Sequence, residues 1–126
     1  MACPELNILT VDDELSVNFS IHTALGGPAR SLASASDGED ALAQIQASEK
    51  PFDLIIIDHK MPRVDGLEFV RRLRETRFAG KIIVLSAHLC HDLRQAYEAL
   101  RVDVILSKPF DLRELRDAVE QVVRAV

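Results

Sequence analysis

The apolar residues of this chain fall into two alternating patterns, short unbroken runs and stripes with spacings of three and four. Leu54-Ile55-Ile56-Ile57 is the clearest run. Unbroken apolar sequence is what a strand covered on both faces of a parallel sheet requires. The run stops on Asp58, and Pro62 with the Asp65-Gly66 pair then forces a turn. Leu6–Val11 reads as a first strand, ending on Asp12-Asp13-Glu14. Residues 31–35 read as a weak edge strand. Lys81–Ser86 reads as a core strand ending on a hydroxyl, and 102–106 as a last strand ending on Ser107-Lys108-Pro109.

Five helical stripes lie between and after these runs. The first places Val17, Ile21 and Ala24 or Leu25 on its core face and ends at Gly26-Gly27-Pro28. It leaves Leu15 and Phe19 on a different face. Asp37 caps the second, which buries Ala41, Leu42 and Ile45 and stops before Pro51. The third buries Leu67, Val70 and Leu73 with Phe69 nearby, behind a predicted capping box of Asp65 and Glu68. The fourth presents Leu89, Leu93, Ala96 and Leu100. The last carries Leu112, Leu115, Val119, Val122 and Val126 behind a second capping box, Asp111 with Glu114.

Strand and helix thus alternate five times. Short connections between them imply an α/β fold with a parallel sheet and helices on both faces. The 126 residues are expected to form one domain over 1–126. A parallel sheet puts all its strand ends on one edge, where open α/β sheets bind their ligands. Asp12, Asp13, Asp58, Ser86 and Lys108, scattered in sequence, then converge.

Composition narrows the partners. A chain that is 48% hydrophobic but only 5% aromatic builds its core from aliphatic side chains. The net charge of -5 and the lack of a basic patch argue against direct nucleic-acid binding. No apolar run approaches a membrane span and no secretory leader is expected, so the reading is cytoplasmic, without membrane association. Cys3 and Cys90 make no disulfide framework and read as free thiols in a reducing compartment.

Three carboxylates crowded on one edge repel, and a hard divalent cation relieves that. Mg²⁺ takes oxygen ligands, few of them from protein, and keeps water or phosphate oxygens in its shell. Lys108 adds a movable positive charge and Ser86 a hydroxyl. An acid nucleophile with Mg²⁺, a lysine and a hydroxyl suits phosphoryl transfer, whose demand is positioning and charge neutralisation. The product on Asp58 is an aspartyl phosphate.

Val11-Asp12-Asp13-Glu14, the stretch from Leu54 through Asp58-His59-Lys60-Met61-Pro62 to Gly66, Ser86-Ala87 and Ser107-Lys108-Pro109-Phe110 together resemble a receiver domain of two-component response regulators. The likeness covers essentially the whole chain. It implies a flavodoxin-like fold with strand order 2-1-3-4-5. It also implies that Asp58 accepts a phosphoryl group from a phosphohistidine on a histidine kinase or histidine phosphotransfer protein. By the same resemblance Asp13, Asp58 and the Lys60 backbone carbonyl ligate Mg²⁺, or Mn²⁺ in its place, and Asp12 helps through water. Ser86 and Lys108 bind phosphoryl oxygens, small Ala87 leaves the phosphate room, and the Lys108–Pro109 bond is cis. The domain is then a switch rather than a turnover enzyme.

Three positions depart from the family pattern. Ile105 stands where many members carry an aromatic residue that turns inward on activation, so a muted or differently routed change is expected. Arg101 stands where many have glycine after the fourth helix, which implies a strained backbone or a different helix end. Lys60 and His88 occupy variable positions flanking the attacking water, and Lys60 is expected to pair with the phosphate and slow hydrolysis.

Other residues carry blander readings. His88 and His91 lie one helical turn apart with Cys90 between, but no other spaced ligands appear, and they and His59 read as surface histidines. Cys90 reads as a packed small residue. Arg71, Arg72, Arg74 and Arg77 read as the solvated face of the third helix. Leu15 and Phe19 are either isolated exposed apolars or a dock for the phosphodonor's helix. Two further alternatives are a degenerate receiver acting only as a binding module and an aspartyl-nucleophile phosphohydrolase. The latter wants a second acid where Lys60 stands. A flavin carrier is disfavoured by the acidic loop after the first strand.

Overall fold

The apolar runs form a five-stranded parallel sheet in the computed structural model, which describes residues 6–26, 30–61, 64–76, 78–87 and 90–124. The strands are β1 (Leu6–Val11), β2 (Arg30–Ala35), β3 (Leu54–Asp58), β4 (Lys81–Ser86) and β5 (Val104–Ser107), in the order 2-1-3-4-5. The helices are α1 (Leu15–Leu25), α2 (Gly38–Ala47), α3 (Gly66–Glu75), α4 (His91–Ala99) and α5 (Leu112–Arg124). The predicted α/β class and flavodoxin-like order both hold.

Strand side chains alternate between faces, and the core divides accordingly. Val11, Ile55, Ile57 and Val84 pack with Ala41, Phe69, Val70 and Leu73 of α2 and α3. Ile8, Leu54, Ile56 and Ile83 pack with Ile21 and Leu25 of α1 and Leu115, Val119 and Val122 of α5. Every position of β3 is buried, which is why its sequence is apolar throughout until Asp58. Among the described residues no helix is long and apolar enough to cross a membrane.

Several expectations need correction. β5 starts at Val104 rather than at 102, because the Asp103 side chain turns back to accept from the Ile82 amide at 2.8 Å and ends the connection from α4 there. Leu112 is exposed, and the buried stripe of α5 runs from Leu115 with Ala118 joining it. The Asp65 cap accepts from the Glu68 amide, but the Glu68 carboxylate turns instead to Arg71 and Arg72. The Asp111–Glu114 box forms in both directions. Arg74 is no solvated residue: its guanidinium donates to the carbonyls of Leu100 and Arg101 at the end of α4 and to that of Phe78. Cys90 is exposed rather than packed, at the N-cap of α4. Cys3, Gly27, Pro28, Pro62, Arg77, His88, Leu89 and Val126 lie outside the described residues.

Arg101 adopts φ 61°. A side chain in this left-handed region crowds its own backbone. Its amide and carbonyl are held by Glu98 and Arg74, contacts that glycine would keep. Arg101→Gly should therefore stabilise the chain by about 0.5–1 kcal/mol, the relief exceeding the added freedom of the unfolded chain. Urea unfolding measures this, and a loss of stability would contradict the strain.

Candidate functional site

Backbone hydrogen bonds continue just past the strand ends and anchor the loops there. The Asp12 amide donates to Ala35 at 3.1 Å, His59 to Leu85 at 2.9 Å and Lys108 to Ser86 at 2.8 Å. The ends of β1, β3, β4 and β5 therefore open into one cleft of about 530 Å³. Asp13, Asp58, Lys60, Ser86, Ala87 and Lys108 line it, with Glu14 and His59 beside them. Lys108 reaches Asp58, Nζ to Oδ1, at 3.0 Å. The peptide bond after Lys108 is cis.

Asp12, Asp13 and Asp58 offer carboxylate oxygens within 4.8 Å of one another. Asp12 is only 2% exposed. Its Oδ1 accepts from the Glu14 amide at 2.9 Å, while its Oδ2 is buried without a partner. Burial raises the Asp12 carboxyl to about pKa 6, with Asp58 and Asp13 adding to the rise and the Glu14 amide and Lys108 opposing it. When ionised, these three acids share the cleft with Lys108, which pairs with Asp58 at 3.0 Å, and with Lys60 on its wall. An unmatched buried oxygen within a surplus of carboxylates fits a hard divalent cation, so this group could hold one.

The family described as "Response regulator receiver domain" matches residues 8–120. The chain belongs to this family. It is 41% identical over 110 residues to the response regulator MprA of Mycolicibacterium vanbaalenii, covering 87% of this chain and 47% of that protein. The Mycobacterium leprae MprA is 37% identical over 119 residues, 94% of this chain and 51% of that protein. The receiver chain thus spans about half the length of these curated relatives. Among solved structures, Vibrio cholerae chemotaxis protein CheY4 superposes with a TM-score of 0.85 at 29% identity, covering 94% of this chain and 98% of that one. A receiver protein from Pseudomonas putida gives 0.86 at 26% identity, with 95% and 99% covered.

The structure brings together the side chains that the sequence singled out. Asp13, Asp58, Ser86 and Lys108 line the cleft, and Asp12 lies beneath it within reach of both other acids. Lys60 lies on its wall. The histidine reading changes: His59 is half-buried, with Nδ1 hydrogen-bonded to the Tyr97 hydroxyl at 2.5 Å. His91 is exposed at the start of α4, and no histidine joins the acidic group among the described residues.

Two residues of this receiver escaped sequence reasoning. Tyr97 is wholly buried on α4, whose expected inward face is Leu89, Leu93, Ala96 and Leu100 without it. Its spacing from Leu93 and Leu100, four and three residues, was the available signal. Asn18 is also buried, and its Nδ2 donates to the Asp12 carbonyl at 3.1 Å. It ties α1 to the acidic turn. Its spacing from Ile21 and Leu25 places it on the apolar face, but a polar residue there carries no hydropathy signal.

Proposed function

We propose that residues 1–126 act as one phosphoaccepting switch, with Asp58 taking a phosphoryl group from a phosphohistidine on a histidine kinase or histidine phosphotransfer protein. The observation that carries this reading is the 3.0 Å contact of Lys108 with Asp58 at the mouth of an acidic cleft. A carboxylate oxygen of Asp58 forms a bond to phosphorus as the donor's N–P bond breaks. The donor imidazole leaves with that electron pair and takes up a proton. Lys108 transfers from the carboxylate to a phosphoryl oxygen, and the Ser86 hydroxyl donates to another. Asp13, Asp58 and the Lys60 carbonyl would hold Mg²⁺ or Mn²⁺, with Asp12 assisting, and the ion would supply positive charge to the phosphoryl oxygens. Water later attacks phosphorus, the P–O bond breaks, and inorganic phosphate leaves the regenerated carboxylate. Lys60, on the cleft wall, pairs with the phosphate and slows that attack.

The added charge of about −1.5 to −2 draws Ser86 and Lys108 together and biases the surrounding surface. A phosphohydrolase reading finds a lysine, Lys60, where its second acid belongs. Incubation with a small-molecule phosphodonor tests the proposal by intact mass. The chain should gain one phosphoryl group with Mg²⁺ and none with a chelator; no gain in either condition would refute it.

Leu15 and Phe19 are 76% and 74% exposed. They lie four residues apart on α1, one helical turn along the same face, and Leu15 directly follows Glu14 at the cleft. This pair suits a helix that delivers a phosphohistidine. Losing an apolar anchor from a docking surface costs about tenfold in affinity. Phe19→Ala should therefore slow transfer from a protein donor about tenfold and leave the small-molecule reaction unchanged. Equal rates from the protein donor would remove the docking role.

A further inference from the structure

The phenol of Tyr97 touches the acceptor segment at His59 and at the turn that follows it. Tyr97 is completely buried in the core layer with Val64, Phe69 and Val84. Its hydroxyl meets His59 Nδ1, and the two rings stand edge to face with centroids 5.6 Å apart. His59 directly follows Asp58, and its own amide is bonded to Leu85 of β4. The hydroxyl also lies against Gly66, the first residue of α3. A Cβ at Gly66 would meet that oxygen at 2.6 Å, the His59 Cα at 2.9 Å and the Asp58 carbonyl at 3.2 Å. The Gly66 amide completes the cluster by donating to the His59 carbonyl at 2.9 Å. One α4 side chain therefore packs against the residue after the phosphoacceptor and against the turn that follows it.

We propose that Tyr97 is a positioning residue for the phosphoacceptor, holding the Asp58–His59 backbone through His59 and Gly66 and carrying any shift of that backbone directly into α4. The inference rests on the phosphoaccepting reading above. The phenol has no free path of retreat. Burial, with Asp65 and Asp58 adding to it, holds its pKa well above the usual tyrosine value, so it keeps its proton. A buried hydroxyl deprived of its partner loses more than the bond is worth when made. Movement of the His59 backbone must therefore move Tyr97 with it or break a costly contact. Ile105 of β5 is only half-buried and has no polar atom to report such a movement. The route from the acceptor to α4 is the phenol.

The chain offers a clean readout, because Tyr97 is its single tyrosine and it has no tryptophan. Emission excited at the tyrosine band reports this one ring. In the wild-type chain, phosphorylation with Mg²⁺ and a small-molecule donor should change that emission as intact mass records the gain. Tyr97→Phe keeps the ring and the packing and loses only the hydroxyl. It should slow phosphoryl uptake about three- to tenfold, the worth of one hydrogen bond in a positioned segment. His59→Phe should cost a similar factor. The double variant should be no slower than the slower single, because both remove one shared interaction. If the wild type takes up phosphate while its tyrosine emission stays constant, or if the two single effects multiply, the positioning role is overturned and the receiver reading stands. If the wild type takes up no phosphate, both fall. Far-UV circular dichroism confirms folding of each variant, and the wild-type emission test needs none of them.

Discussion

Asp58→Asn should take up no phosphoryl group from a small-molecule donor under conditions in which the wild-type chain is expected to gain one. The amide is nearly the same size and can keep a contact with Lys108 through its oxygen. It lacks the ionised oxygen that must bond to phosphorus. The other two acids cannot stand in for it. Asp12 lies buried beneath the cleft, and Asp13 is on its exposed side. Lys108 approaches Asp58 and no other acid of the group among the described contacts. Intact mass checks the result, and a phosphorylated Asp58→Asn chain would move the acceptor elsewhere. Its fold should survive the change, because it also relieves some of the repulsion among the three acids.

Asp12→Asn should stabilise the metal-free chain at neutral pH by about 1–2 kcal/mol. The raised carboxyl of Asp12 sets the sign. Below the usual value of 3.8, folded and unfolded chains both carry the proton and there is no penalty. Between 3.8 and about 6 the folded chain binds the proton and the unfolded chain does not, so stability falls as pH rises. Above about 6 the penalty is complete, about 3 kcal/mol at most from a shift of that size. Asparagine removes it and retains an oxygen for the Glu14 amide. Its own buried donors recover only part of their hydration, which lowers the net gain. Urea unfolding across pH 4–8 measures the effect. The difference between variant and wild type should grow up to about pH 6 and then level off. Added Mg²⁺ should stabilise the wild type by mass action and the variant less. A difference that does not change with pH would mean that the carboxyl is not strained.

The architecture was legible because its signals are local. Leu54 to Ile57 is apolar at every position, and β3 is buried at every position. Asp37, Asp65 and Asp111 each cap the helix assigned to them, since a cap depends only on amides two or three residues away. Reciprocal pairing failed at Glu68 because Arg71 and Arg72, on the next turn, offered stronger partners than the Asp65 amide. The left-handed Arg101 is one of the two outcomes expected where glycine is missing, the other being a different helix end. Arg74 was misjudged because its partners belong to α4 and the turn after α3, elements that reach it only in the folded chain.

Sequence alone determined which residues end the strands, and parallel order made those ends meet. Asp12, Asp13, Asp58, Ser86 and Lys108 could be gathered without coordinates, since one edge must receive every strand's carboxyl end. Tertiary structure decided what lies behind that edge. Only packing showed that Tyr97 closes on His59 and Gly66, that Asn18 ties α1 to the acidic turn, and that one Asp12 oxygen is left without a donor. Periodicity tells which way a side chain faces, but its polar partner belongs to whichever element packs over it, and that is a property of the assembled layers.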